Sequence, residues 1–396
     1  MTVEKSRKIK DNVILILWIL ILGAGFSLLF ERQGVGFNGG YLSNIQTEVV
    51  TAMEGKTLSL LDLVIRGIYG AAGGAAYYAY FIALMEGLMV SVTWAVCALF
   101  IEKQFRFRRW AAMLVALGLL FVTNIPAPFF GRFFAGSIIA QPWHDLSYNA
   151  MRLFASAAIF FWADLYLIYN EEKRIDWKNW AFTCLMIFLA TLMKGGFVVA
   201  FASGLLIVLL IDLIGKKNKI LNIVLLGCTV LPSLVLLIIQ YGHLRGQDSA
   251  YGIRAGLSVF FFQESPKAFV MKFLTGLFLA LMVLWYNRRK LRKDMAFVYI
   301  CYAAGLLEAM FLMESGDRES LGNFLWGMYV FAFFMYLYLV PTFIGNFRDY
   351  VEDAEKEKPA LWKRGYIIIG TLLLVLHILC GLRYYTALLR GVSYFI

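Results

Sequence analysis

The chain has 396 residues, of which 61% are hydrophobic and 16% charged, with a net charge of +11 and a mean hydropathy of +0.71. Soluble domains are about half apolar and about a quarter charged, so the composition excludes one. The apolar residues form solid runs rather than the roughly ten-residue alternating segments of a transmembrane barrel, which leaves an all-α, polytopic membrane bundle in a single transmembrane domain, 1–396.

The first apolar run, Val13–Phe30, is too long for the core of a cleaved signal and shows no small-residue cleavage site. It reads as a retained first span at about 12–30. Residues 31–75 are too many for a simple connector. Within them, LSLLDLVIRGIYG places Leu60, Leu61, Val64, Ile65 and Ile68 at helical spacing, with Asp62 and Arg66 an i,i+4 pair. That pattern predicts a short amphipathic helix on the membrane surface. The tract GAAGGAAYYAY then permits close helix packing, or a kink, at the start of the second span. Further spans are expected at about 76–101, 110–130, 148–169, 179–194, 196–214, 220–241, 268–286, 295–313, 322–345 and 365–386, eleven in all.

The Lys and Arg residues set the orientation. The N-terminal tail and the alternate connections EKQFRFRR, NEEKRIDWK, GKKNK, NRRKLRKD and 346–364 hold 24 of the 37 basic residues. Excess Lys and Arg marks the cytoplasmic side. The expectation is therefore an N-terminus inside, a C-terminus outside, and a cell membrane as the location. The positive-inside bias also accounts for the net charge without nucleic acid. Outward segments are then 31–75, 131–147, the turn at Lys194–Gly195 and 242–267. The connection inside MESGDRESLGNFLWG also faces outward.

Four outward stretches carry polar chemistry. In MESGDRESLGNFLWG, Glu314 and Asp317 are candidate acids, bases or ligands, and Arg318 is a fixed cation suited to phosphate. In AQPWHDLSYNAMRLF, His144 titrates near neutrality and Asp145 is placed to orient it. Trp143 precedes them, and Asn149 and Arg152 follow one and two turns into the span. In TLMKGGF, Lys194 ends a short span of about 16 residues. At 1.5 Å per residue such a helix covers about 24 Å, so the ammonium sits below the interface. The fourth stretch, YGHLRGQDSAYGIRAG, holds His243 and Arg245 against the positive-inside bias. For each stretch the plain alternative is a solvated loop, an interfacial anchor or a snorkelling lysine.

Glu86, Asp164, Asp212 and Glu308 lie within or near the ends of spans. Intramembrane acids are costly and are functional candidates by default. The five cysteines fall in apolar runs without a CxxC pair and read as small core residues. No nucleotide, zinc or nucleophile-elbow motif is present, and no metal or cofactor is called for.

The span number, the long first outward loop, WHDLSYNAMRLFA, LMKGGF and MESGDRESLGNFLWG together resemble the membrane proteins of bacterial surface-polysaccharide assembly. These are the repeat-unit polymerases and the GT-C glycosyltransferases. The resemblance implies a polyprenyl-phosphate-linked saccharide as donor and glycosyl transfer on the outer face. Arg318, Lys194 and Arg245, with His243 and Arg152, would then hold the pyrophosphate. His144 or Glu314 would act as base, and Trp143 and Trp326 would stack on sugar rings. GT-C enzymes place a catalytic carboxylate in the first outward loop, where this chain offers Glu31, Glu48, Glu54 and Asp62, of which Glu48 is the candidate carried forward. The paired acidic motif of that class is absent. The rival readings are a transporter or flippase for a lipid-linked or amphipathic solute, with Glu86 and Glu308 as coupling sites, and a non-catalytic assembly partner.

Overall fold

The computed structural model describes residues 3–35, 44–55, 58–72, 78–125, 138–139, 141–143, 145–173, 175–215, 218–258, 266–315, 322–356 and 360–390. His144, Asp317 and Arg318 lie outside the described residues. The helices are α1 (Val3–Val35), α2 (Asn44–Glu54), α3 (Leu60–Ala71), α4 (Tyr78–Phe105), α5 (Arg109–Leu120), α6 (Leu146–Asn170) and α7 (Trp177–Met193). They continue as α8 (Gly196–Ile214), α9 (Ile220–Gly227), α10 (Leu231–Gln247), α11 (Pro266–Asn287), α12 (Lys293–Phe311), α13 (Leu325–Ala354) and α14 (Leu361–Leu389).

Nine helical stretches among the described residues are long and apolar enough to cross a membrane, α9 and α10 joining through one 3-10 turn at Cys228–Val230. The architecture is that of a multi-pass membrane protein in contact with a lipid bilayer. The shorter α5 and α7 fall where two further spans were expected. Several bounds differ from expectation. The first amide groups of α10 include Pro232, which donates no hydrogen bond, yet the helix runs on to Gln247 and absorbs the start of the expected 242–267 loop. Likewise α13 runs to Ala354, into the expected 346–364 loop.

The helix α13 is apolar on all sides, and such a helix belongs in the middle of a bundle. It is buried along nearly its whole apolar length, whereas α1, α11 and α14 expose most of theirs. Ile368, Ile369, Leu372, Val375 and Leu379 on α14 have no protein partner to cover them, as expected of a lipid-facing surface.

Glycine lets the inner helices approach. A Cβ on Gly327 of α13 would stand 2.7 Å from the carbonyl oxygen of Gly196 on α8, and one on Gly305 of α12 would stand 3.0 Å from the Met328 amide nitrogen. A Cβ on Gly204 of α8 would meet the Cys301 sulfur of α12 at 2.4 Å. So α8, α12 and α13 cross nearly backbone to backbone, the small-residue packing that serves where lipid removes the hydrophobic drive.

The expected surface helix is α3. Ser59 caps it, accepting from the Leu61 amide at 3.1 Å, and Leu61 and Ile65 are buried while Leu63 and Val64 are exposed. Arg66 ties it to α2 through the Ala52 carbonyl at 2.6 Å. The all-α expectation needs one correction. Residues Gly252–Ala255 (β1) and Leu312–Ser315 (β2) form an antiparallel ribbon, with Ile253 opposite Glu314. Strand β2 follows directly on the end of α12 at Phe311 and β1 follows α10 after four residues, and the two backbones supply each other's partners outside the helices. The stretches that hold Arg245 and Glu314 are thereby stitched together.

Candidate functional site

A cavity of about 430 Å³ opens at the end of the bundle where α6 and α8 begin and α7 and α12 end. Its wall carries Glu48, Asp62, Asp145, Lys194, Glu308 and Glu314, with Trp326 and Tyr251. Residues from α2, α3, α6, α7, α12 and the ribbon therefore meet in one place, although they are scattered from 48 to 326 in sequence.

The centre of the site is the N-terminus of α6. Asp145 is its N-cap and accepts from the Tyr148 amide at 2.6 Å. Two residues on, the Ser147 amide donates to Glu48 Oε2 at 3.1 Å, and the Ser147 hydroxyl lies 3.2 Å from Glu48 Oε1 and 2.9 Å from Asp145 Oδ1. Two carboxylates thus gather at the positive end of one helix dipole, where anions are stabilised.

Lys194 answers them. It sits between α7 and α8 in extended conformation, and the next glycine starts the return helix. Its ammonium donates to Asp145 Oδ1 at 2.9 Å, to Asp145 Oδ2 at 2.7 Å and to the Ser147 hydroxyl at 3.0 Å. The Trp326 ring lies 3.8 Å beneath it. Trp326 is there because Gly196 and Gly327 permit the α8–α13 approach. All three N–H groups of Lys194 are engaged, so the ammonium acts on the protein's own carboxylate. Binding a phosphate would require it to give up one of these bonds.

Glu48 has its carboxyl held above the usual carboxylate range. Burial is the main cause and the negative Asp145 adds to it, while Lys194 and the two Ser147 hydrogen bonds work in the other direction. A buried carboxyl whose proton is held more tightly than usual is a candidate for proton transfer.

Glu314 is fixed rather than free. The Tyr251 hydroxyl donates to its Oε1 at 2.9 Å, and Asn323 donates to its Oε2. Glu308 accepts from the Ser203 hydroxyl at 2.6 Å on the deeper wall.

Other expected site residues lie elsewhere. Arg152 is fully buried behind the cavity, bonded to Gln141 at 2.5 Å and Asn149 at 3.3 Å, with its guanidinium 4.9 Å from the Trp143 ring centre. Trp143 is also fully buried, packed on Phe26 at 4.9 Å. Neither lines this cavity, and both pack around the start of α6. His243 and Arg245 are on the last turns of α10, where His243 contacts Gln247 at 2.9 Å. They are absent from the cavity lining, which α10 supplies through Gln240, Tyr241 and Leu244. Asp164 pairs with Lys103, and Asp212 accepts from Tyr169 at 3.0 Å, both at the opposite end.

Ser147, Tyr251, Gln240 and Asn323 were not anticipated. Asp145 carried a capping signal at the span's start, and nothing in the sequence marked Ser147 beside it. The other three depend on tertiary contact. No protein-family model matches the chain, and no curated protein matches it.

Proposed function

We propose that the chain is a membrane glycosyltransferase, or repeat-unit polymerase, acting on polyprenyl-phosphate-linked sugars at the outer face of a cell membrane. In this reading α5 and α7 also cross, giving eleven spans with the N-terminus inside. The cavity then opens outward, opposite the basic connections.

The observation that carries the reading is the seating of Glu48. It is a carboxylate of the first outward segment, and it stands on the cavity wall beside the Asp145–Lys194 pair. Glu48 removes the proton from an acceptor hydroxyl. The hydroxyl oxygen bonds to the anomeric carbon, the bond from that carbon to the carrier phosphate breaks, and its electron pair leaves with the phosphate. Lys194 balances the charge of Asp145 beside Glu48. Trp326 and Tyr241 offer aromatic faces, and Gln240 and Asn323 offer amide groups, the mixture that suits a sugar. Arg318, in the adjacent 316–321 segment, is the cation assigned to the leaving phosphate.

The test is transfer by the purified protein in liposomes, with a short-chain polyprenyl-diphosphate oligosaccharide as donor and product read by mass spectrometry. Glu48→Gln should lower turnover by about 10²–10⁴-fold, the usual contribution of a general base. Unchanged turnover in that variant would refute the assignment.

A second reading has one observation in its favour. Glu86 on α4 is fully buried, and neither of its oxygens makes a close hydrogen bond with a described residue. Such a group suits a coupling ion in a transporter. A deletion strain separates the two: lipid-linked units accumulating outside favour the enzyme, and units retained inside favour the transporter.

A further inference from the structure

A second cavity, of about 490 Å³, lies at the other end of the bundle. The geometry follows from two helices. From Arg292 to Glu308, α12 runs about 24 Å between the two cavities, and α13 runs back from Trp326 to Arg348. The second cavity is lined by Arg106, Arg108, Lys290, Arg292 and Arg348, and no acidic residue lines it.

We infer that this cavity binds a phosphorylated amphiphile, with the phosphate among the arginines and the chain on the apolar floor. The inference is independent of the reading given for the acidic cavity.

Positive-inside bias alone would scatter these charges along separate connections. Here the α4–α5, α11–α12 and α13–α14 sides of the bundle bring them to one concave surface. Arg292 is neutralised by Asp294 at 2.7 Å, and Arg348 lies 3.8 Å from Glu352. Arg106, Arg108 and Lys290 make no ion pair or side-chain hydrogen bond with any described residue. Three uncompensated cations around a cavity favour an anion.

The backbone agrees. Arg108 is the N-cap of α5 and Arg292 the N-cap of α12, and neither offers a side-chain capping bond. Two helix N-termini therefore meet at the cavity with amide groups that no cap satisfies, the arrangement that binds phosphate elsewhere. Arg106 has φ +57°, a left-handed position closing α4 where glycine is the usual residue. An arginine held there at conformational cost is consistent with a use for its side chain. Phe107 and Met295 line the same cavity, and an apolar floor beneath a cationic rim matches a lipid headgroup with its first methylenes.

The test uses the full-length protein in a phosphate-free, uncharged detergent, with dioctanoyl phosphatidic acid and inorganic pyrophosphate as probes in titration calorimetry. Arg106→Gly suits the left-handed backbone, so Arg106→Gly/Lys290→Gln should fold, which its unfolding temperature checks. The double variant should bind at least tenfold more weakly than the unaltered protein. Lys173→Gln/Lys178→Gln removes two charges from the same end but outside the cavity, and should leave affinity unchanged. Tighter binding of phosphatidic acid than of pyrophosphate identifies a lipid headgroup, and equal binding identifies a soluble phosphorylated compound. Binding of neither probe would overturn the inference. So would unchanged affinity in the cavity variant, or equal loss in both variants.

Discussion

Lys194 and Asp145 form a chelated ion pair, the ammonium standing 2.9 Å and 2.7 Å from the two oxygens of one carboxylate. The Asp145 side chain is 2% exposed and the Lys194 side chain 16%. Removing one partner from such a pair leaves the other as an uncompensated buried charge, at about 3–5 kcal/mol. Lys194→Ala should therefore destabilise by about that amount, seen as a lower apparent unfolding temperature in detergent. Asp145→Asn/Lys194→Ala should recover at least about 1 kcal/mol of the summed single losses, because the two sites are coupled. Additive losses would mean that the two groups do not sense each other.

The raised Glu48 carboxyl gives a pH signature with a definite sign. Its folded-state value lies above the unfolded one, so the folded protein binds the extra proton between the two. Its contribution to stability is complete below the ordinary carboxylate value and is lost as pH rises through the folded value. Glu48→Gln should abolish that decline, making the variant the more stable form at pH above the folded value. Activity should move in the opposite direction, rising with pH as Glu48 becomes a base. Identical stability profiles for the two proteins across pH 4–8 would remove the premise.

Much of the bundle was legible because a membrane span must satisfy its backbone internally, and long apolar runs do so only as helices. The helix at Leu60–Ala71 was legible from periodicity. What periodicity does not encode is register between distant segments. Ile253 pairs with Glu314 across 61 positions, and nothing in either stretch alone announces the ribbon. The enclosure of Arg152 was not legible for a related reason. An arginine near a helix start looks accessible until Gln141 and the rings of Trp143, Tyr148 and Phe333 are seen to enclose it.

The glycine crossing that presents Trp326 to Lys194 should be intolerant of a single methyl. Gly327→Ala would drive its Cβ toward the Gly196 carbonyl, in a contact with backbone that no side-chain rotation relieves. The expected loss is about 1–3 kcal/mol, the range for overpacking. Gly67→Ala on α3 meets nothing within 4 Å and should stabilise by about 0.5–1 kcal/mol, since glycine inside a helix is the weaker residue. Thermal unfolding of the two variants should shift in opposite directions. A Gly327→Ala protein as stable as its parent would show that α8 and α13 do not approach this closely.

The orientation rests on where the short helix α7 leads. Lys173, before α7, and Ser249, after α10, are separated by α7, α8 and the α9–α10 stretch. If all three cross, the two residues lie on opposite sides of the membrane. If α7 returns to the side it left, they lie on the same side. At about 26 Å, its 17 residues fall a few ångströms short of an average hydrocarbon core, but Asp176 caps one end and Lys194 gives the other a charged partner network. A helix with polar groups fixed at both ends is held more readily across a locally thinned bilayer than along its surface. Single cysteines at Lys173 and Ser249, both exposed, should be introduced after the five native cysteines are replaced. In intact cells an impermeant thiol reagent should label the cysteine at 249, and the one at 173 only after permeabilisation. Labelling of both in intact cells would make α7 a re-entrant element. Labelling of 173 alone would invert the bundle, turning the acidic cavity to the cytoplasm and ending the outer-face reading.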